Sequence, residues 1–300
     1  MIGSEIGDYK SSLILYQPKF GDSCNMFRKI SSIAIVVLVA LSCLTVQAGI
    51  KDVDLKKGLV MYMSFDEGTG KSVADTSTNE LKGSIEGNAK WVAGKFGKAL
   101  QFSASSDRVL VDDNKVFHIE GAVTQAAWVK LDKLPSAHAV VFGIRKNPPA
   151  DGGRHISFGY GMNPSNGIKV WTNGATGGFK DINDNKTKLK VGQWYYLAYT
   201  HTTADDGLVR IFVDGIATHE EKSENPVLPA ANKDAVQIGT WGGEAFPGSV
   251  DEVRLWNRAL SDAEIKKSMQ IGAKEFSTAV ESRDKLAITW SQIRLTPNKQ

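Results

Sequence analysis

Residues 248–265 read GSVDEVRLWNRALSDAEI, and two periods of hydrophobicity meet in them. From Gly248 to Trp256 the residues alternate as in a strand, with Asp251, Val253 and Leu255 in one phase. Val250, Glu252, Arg254 and Trp256 fall in the other. The chain then turns through Asn257-Arg258-Ala259-Leu260. Ser261 followed by Glu264 has the spacing of a capping box, so a short helix is expected to start there. Asp251 is the misfit. Its phase places a carboxylate beside Val253 and Leu255 on an apolar face, and a buried carboxylate must be paired, hydrogen-bonded or bound to a metal.

Upstream of this stretch the 300-residue chain reads as short strands with turn residues between them, and it has no long segment of helical period. Leu59, Met61, Met63 and Phe65 alternate with Val60, Tyr62 and Ser64, and a turn follows at Asp66-Glu67-Gly68-Thr69-Gly70. Residues 75–83 read as a polar loop. Further strands are expected at 99–102, 108–111, 123–131, 139–144, 155–160, 168–172, 194–202, 208–213 and 235–238. Many short strands punctuated by Gly, Asn, Asp and Pro predict an all-β fold, a jelly-roll β-sandwich of two antiparallel sheets with a short C-terminal helix. Asp205-Asp206-Gly207 and Asp214-Gly215 have the chemistry of hairpin turns. Residues 145–154, RKNPPADGGR, can continue neither neighbouring strand and read as a loop.

Ile30 to Ala48 is the one long apolar run, preceded by Arg28-Lys29 and closed by Val46-Gln47-Ala48. It has the form of a secretory signal peptide over 26–48, with an uncleaved anchor as the alternative. Met26 would make an ordinary start, and 1–25 would in that case be an over-extended N-terminus. Cys24 and Cys43 both precede the cleavage site, so the mature chain has no cysteine chemistry and rests on its core. The expected location is secreted, periplasmic or cell-surface, with no membrane contact after cleavage. A formal charge of +3 gives no electrostatic case for nucleic acid. The main domain is expected over 58–272. A tail at 273–300 carries Leu286, Trp290 and Ile293 at the spacing of one helical face.

Four pieces, in order, carry a resemblance: Met63-Ser64-Phe65-Asp66-Glu67-Gly68, the run from Gly94 to Phe102 (GKFGKALQF), Gln193-Trp194-Tyr195 with Val213-Asp214-Gly215, and the 248–265 stretch. Together they resemble laminin-G-like domains of the concanavalin A-like lectin/glucanase superfamily. The resemblance implies that the early FDEG strand and the late DEVR strand lie together around a structural calcium. Asp66 and Asp251 would then be side-chain ligands, with Asp75 or Asn79 beside them, since calcium takes six to eight oxygens. The alternative without metal is that Asp251 accepts hydrogen bonds from loop amides while Asp66 caps a turn.

Glucanases of the superfamily aim paired acids into a groove from one strand, in an E-x-D-x-[x]-E motif that this chain lacks. Asp181 to Asn185, Asp205-Asp206 and Glu220-Glu221 read as solvated loops and turns. The five histidines have no metal-binding spacing, and there is no G-x-S-x-G elbow. Trp91, Trp128, Trp194 and Trp256 read as core. Trp171, Asn173 and Trp241 lie near Gly/Asn-rich loops, where an aromatic face can stack on a sugar while amides bind its hydroxyls. Ordinary half-buried sandwich aromatics are the competing reading. The expectation is an exported, non-catalytic recognition module for glycan or extracellular protein. A glycoside hydrolase or lyase of the same fold, or a purely structural surface component, is the alternative.

Overall fold

The chain divides into a unit of Met1–Asp52 and a unit that begins at Val53. The computed structural model describes residues 53–119, 121–145, 156–173, 179–204, 207–223, 235–241 and 244–276. The leader expected at 26–48 and the residues before it lie outside the described residues, as do residues 146–155, read above as a loop, Asp205-Asp206, read as a turn, and residues 277–300. No helix among the described residues is long and apolar enough to cross a membrane.

The strands are β1 (Leu59–Met63), β2 (Ser72–Ala74), β3 (Lys82–Glu86), β4 (Lys90–Ala93), β5 (Lys98–Phe102), β6 (Arg108–Val111), β7 (Val123–Leu131), β8 (Ala139–Arg145) and β9 (Ile156–Met162). They continue with β10 (Ile168–Asn173), β11 (Phe179–Asp184), β12 (Trp194–His201), β13 (Leu208–Val213), β14 (Ile216–Lys222), β15 (Ala235–Ile238), β16 (Thr240–Trp241), β17 (Glu244–Ala245) and β18 (Gly248–Trp256). The helix α1 spans Asp262–Gln270. One sheet runs β14-β13-β12-β7-β18-β5-β4, with β1 also paired to β18, and the other runs β11-β10-β9-β8-β15-β6-β3-β2. Both are antiparallel. The two sheets enclose one apolar core, to which β18 contributes Val250, Val253 and Leu255 and β7 contributes Val123, Ala127, Val129 and Leu131.

A second apolar layer covers the far face of the first sheet. There Tyr62, Ala126, Trp128, Tyr196 and Trp256 pack against Leu55, Ile265 and Phe276. This second layer explains why all nine residues of β18 are buried, since the strand has packing on both faces. The Trp256 indole donates to the Leu55 carbonyl at 2.7 Å and pins the start of the domain to that layer. The capping box of α1 forms as its spacing predicts, with Ser261 N–H donating to Glu264 at 2.8 Å and Ser261 Oγ accepting from Glu264 N–H.

The phase expected for β18 is corrected by a bulge. Asp251 pairs with Trp128 and Arg254 with Ala126, so two residues of β18 oppose one of β7. Glu252 takes up the extra residue in left-handed backbone, at φ 56°. Asp251 consequently shares the outer face with Trp128 instead of facing the core beside Val253. Strict alternation cannot anticipate this, because the slip is set by edge pairing. β18 pairs with β5 through Val250 and with β1 from Val253 onward, and the bulge fills the gap between those two partners.

Two further corrections concern acids. Residues 179–184 form strand β11 and 216–222 form strand β14, so Asp181, Asp184, Glu220 and Glu221 lie on strands and not in loops. Both are edge strands of their sheets, where one side of the ladder is open and charged residues are common.

Candidate functional site

Among the described residues, two places bear on a functional site. The first is the gap in β18 pairing, where Asp251 and Glu252 both turn outward. Asp251 is fully buried, and its Oδ2 accepts from Lys95 N–H at 2.8 Å and Phe96 N–H at 3.0 Å. Asp66 Oδ1 accepts from Lys98 N–H at 2.9 Å. The two carboxylates therefore hold one turn, residues 94–98, from its two ends. Glycine is required in that turn. A Cβ on Gly97, at φ +48°, would lie 1.9 Å from Asp66 Oδ1, and one on Gly94 would lie 2.6 Å from Asp251 Oδ2.

Glu252 is also fully buried and accepts from Tyr62 Oη and, at 2.5 Å, from Arg254. Arg254 donates as well to the Ser268 and Ile271 carbonyls, which ties the end of α1 to the sheet. Burial works against the charge of Arg254, yet the oxygens of Tyr62, Tyr196 and Glu252 hold its guanidinium firmly protonated. Asp251 forms no ion pair among the described residues. Burial pushes its carboxyl from 3.8 up to about 8; the Phe96 and Lys95 amides pull it down, and the Glu252 and Asp66 carboxylates add to the rise. Burial raises Glu252 too, against the pull of Arg254. Asp251 Oδ1 is buried without a hydrogen-bond partner, whereas the Ala273 amide also bonds to Glu252. Beside them Phe65 and Glu252 both have positive φ, at 60° and 56°. Strained backbone and unpaired carboxylate oxygens collect where a ligand is held.

Of the four residues expected around a metal, the structure brings Asp66 and Asp251 to one turn and takes Asp75 and Asn79 elsewhere. Asp75 Oδ1 accepts from Tyr62 and Ser77 N–H, and its Oδ2 accepts from Ser77 Oγ and Leu81 N–H. Both oxygens are fully used in closing the β2–β3 approach onto β1. Asn79 donates to the Val60 carbonyl at 2.7 Å in the same loop. Glu252, which the sequence offers only as the neighbour of Asp251, joins the site through the bulge. No cluster of three or more Asp, Glu, His or Cys able to hold a metal forms among the described residues. A cation at the junction would therefore need carbonyl oxygens besides the carboxylates.

The second place is a cavity of about 210 Å³ at one end of the sandwich. Ser103 and Ser105 of the β5–β6 turn, the Lys133–His138 stretch between β7 and β8, and Ala245 and Pro247 before β18 line it. Its walls are held by hydrogen bonds from behind. The buried Asp107 accepts from Asn88, Ser103 and Ala104 N–H at 2.8, 3.0 and 3.0 Å. Burial alone would raise the Asp107 carboxyl, but those amides outweigh it and hold the group below its usual range. Thr240 Oγ1 donates to the Ser105 carbonyl at 3.3 Å, and Asp132 N–H donates to the Pro247 carbonyl at 2.9 Å.

Of the residues picked out from the sequence as sugar contacts, Trp171 sits against this cavity without lining it. Trp171 is only 4% exposed, so its ring offers no free stacking face, which corrects the expectation of a surface contact. Its ring meets the cavity residue His138 edge-on, with centroids 6.3 Å apart, and Lys169 lies over it at 5.4 Å. Trp241 pairs with Glu244 in the small hairpin that leads to Ala245. The side chains of Trp241 and Asn173 lie outside the described residues. The cavity itself escapes sequence reading, because serine, proline and a lone lysine in three separate turns carry no periodic or motif signal.

The acids of β11, β14 and the start of α1 are engaged. Lys169 pairs with Asp181 at 2.5 Å, Arg210 with Glu220 at 2.6 Å and with Asp262 at 2.5 Å, and Lys180 with Glu221 at 3.2 Å. Asp184 accepts from Lys186 and Thr187 N–H.

A laminin G family model described as the concanavalin A-like lectin/glucanases superfamily matches residues 103–266. No curated protein matches the chain. Among solved structures the chain is similar to domain 4 of AbnA, an extracellular arabinanase from Geobacillus stearothermophilus in complex with arabinotriose. That similarity has a TM-score of 0.54 at 21% identity and covers 70% of this chain and 98% of that one. The binding domain of Paraclostridial Mosquitocidal Protein 1 gives a TM-score of 0.58 at 13% identity, over 72% of this chain and 52% of that one. The ligand-binding domain of botulinum neurotoxin serotype D, in complex with N-acetylneuraminic acid, gives 0.55 at 11%, over 72% and 51%. The chain thus spans about half the length of these toxin domains. At such identities the likeness shows a shared fold.

Proposed function

The chain belongs to the concanavalin A-like lectin/glucanase superfamily, and on that premise we propose that it is a non-catalytic recognition module that holds a glycan in the cavity at the end of its sandwich. The observation that carries this reading is the make-up of the cavity wall. It offers serine hydroxyls, one ammonium group, one imidazole and an apolar lip at Leu134, and no carboxylate among its described residues. Glycoside hydrolysis needs two carboxyl groups flanking the scissile bond, and the wall supplies neither. A rigid, hydrogen-bonded rim with room for a single sugar ring suits binding without turnover. Solved structures of the same fold in complex with arabinotriose and N-acetylneuraminic acid support a sugar as the ligand class.

The β18 junction is the structural counterpart of that site, with calcium as its proposed ion. Asp251 and Asp66 fit a hard cation, with Glu252 beside them, because Asp251 keeps a buried oxygen without a hydrogen-bond partner. The ion would supply positive charge beside Asp251, the buried acid that forms no ion pair among the described residues. Export through the 26–48 leader belongs to the same reading, and mass spectrometry of the secreted product should find Gly49 at or near its N-terminus.

The reading is tested with purified mature protein on a glycan array, together with a reducing-end assay on the polysaccharides it retains. Binding without release of reducing ends is the expected result. Cleavage abolished by Asp181→Asn or Asp184→Asn would make it an enzyme instead.

A further inference from the structure

Resting on that reading, we infer that the end cavity selects a sugar unit carrying an anionic group, a carboxylate or a sulfate ester, through Lys133. Neutral sugars are usually gripped by carboxylates, which accept, and by side-chain amides, which accept and donate. The described wall has none of these. What it has are an ammonium, an imidazole and hydroxyls, each able to donate. Lys133 is exposed and forms no ion pair among the described residues, so its ammonium is uncommitted. His138 stands on the same wall, held edge-on against the buried Trp171. The Ser103 hydroxyl already donates to Asp107, which leaves Ser105 and Ser136 as the hydroxyls free to turn toward a ligand.

The acids nearest in the chain, Asp132 and Asp107, are not part of the cavity lining. Asp132 is occupied by the Gln101 amide at 2.7 Å, and Asp107 is buried behind the turn under its own amide donors. An oxyanion entering the cavity therefore meets an ammonium and hydroxyl donors with no competing carboxylate from the described wall. Charge-assisted hydrogen bonds of this kind are about twice as strong as neutral ones. Leu134, 55% exposed, gives the C–H face of the same ring an apolar surface. An anion at one edge and an apolar face beside it describe an acidic sugar better than a free inorganic ion.

The test is affinity electrophoresis of the full chain in gels holding polygalacturonate, a sulfated galactan or neutral galactan, repeated with Lys133→Gln and Lys90→Gln. Lys90 is an exposed lysine of β4 outside the cavity lining and controls for general attraction to polyanions. Retention by one or both anionic gels, weakened about tenfold (~1.4 kcal/mol) by Lys133→Gln and unchanged by Lys90→Gln, is expected. Which anionic gel retains the chain separates carboxylate from sulfate. Equal loss in both variants would reduce the effect to net charge and overturn the assignment. Retention by neutral galactan, insensitive to Lys133→Gln, would overturn the anion selectivity while leaving glycan recognition standing. No retention in any gel, with no binding on a broad glycan array, would overturn both.

Discussion

Asp251→Asn isolates the buried acid at the β18 junction. Moving a carboxyl from 3.8 in the unfolded chain to about 8 in the fold opposes its ionisation by roughly 5–6 kcal/mol, an order-of-magnitude figure. The sign follows from proton linkage. The folded state binds the proton more tightly than the unfolded one, so metal-free stability is greatest at acid pH and falls as pH rises from about 4 to about 8. Glu252, raised in the same sense, adds to that slope. Asparagine is a neutral isostere that can still accept from Lys95 and Phe96. The variant should therefore lose the share of the slope that belongs to Asp251 and exceed wild type in stability near pH 8 in chelator. Calcium should reverse the order, since it stabilises the folded state by mass action, about 2.7 kcal/mol at a hundred times its dissociation constant. The assay is thermal unfolding followed by tryptophan fluorescence, at several pH values, in chelator and in calcium. A wild-type slope equal to that of Asp251→Asn in chelator would refute the reasoning about burial. A midpoint indifferent to calcium, with no metal found by elemental analysis, would leave Asp251 as a hydrogen-bonded anchor for the 94–98 turn.

Arg254→Met should lower stability by about 3–5 kcal/mol by stranding the buried Glu252, and the double change Arg254→Met with Glu252→Gln should recover part of it; denaturant titration reads both. Gly97→Ala should lower stability by more than about 1 kcal/mol and weaken any calcium response, because its Cβ meets Asp66 and its φ is positive. Trp171→Ala should cost about 3–5 kcal/mol in thermal or chemical unfolding, as a buried ring does, and a change under ~1 kcal/mol would return Trp171 to the surface.

The strands with a clean apolar core phase were legible. Residues 108–111, 123–131, 208–213 and 235–238 form strands with the expected bounds, and the helix starts at the expected cap. β3, β11 and β14 were not legible, because exposed or half-buried polar residues interrupt their few core contacts. Asp251 was rightly marked as a carboxylate needing an explanation, but its face was not. A bulge leaves no mark in composition, and here it depends on two strands sharing one edge of β18. Asp75 and Asn79 illustrate a different limit. Loop acids near a suspected metal look alike in sequence, and only the backbone amides around Asp75 show that its oxygens are already used. The cavity depends on three distant turns meeting, which no local pattern encodes.

The central claim is that recognition happens in the cavity between the 103–105, 133–138 and 245–247 segments. Chemical-shift mapping of the full chain by NMR, with and without an oligosaccharide of the polysaccharide it retains best, tests it most directly. The account predicts saturable shifts confined to those three segments and to Trp171 behind His138, with the β18 junction unmoved. Shifts centred on the outer face of β10 and β11 away from His138, or on the 94–98 turn, would contradict it.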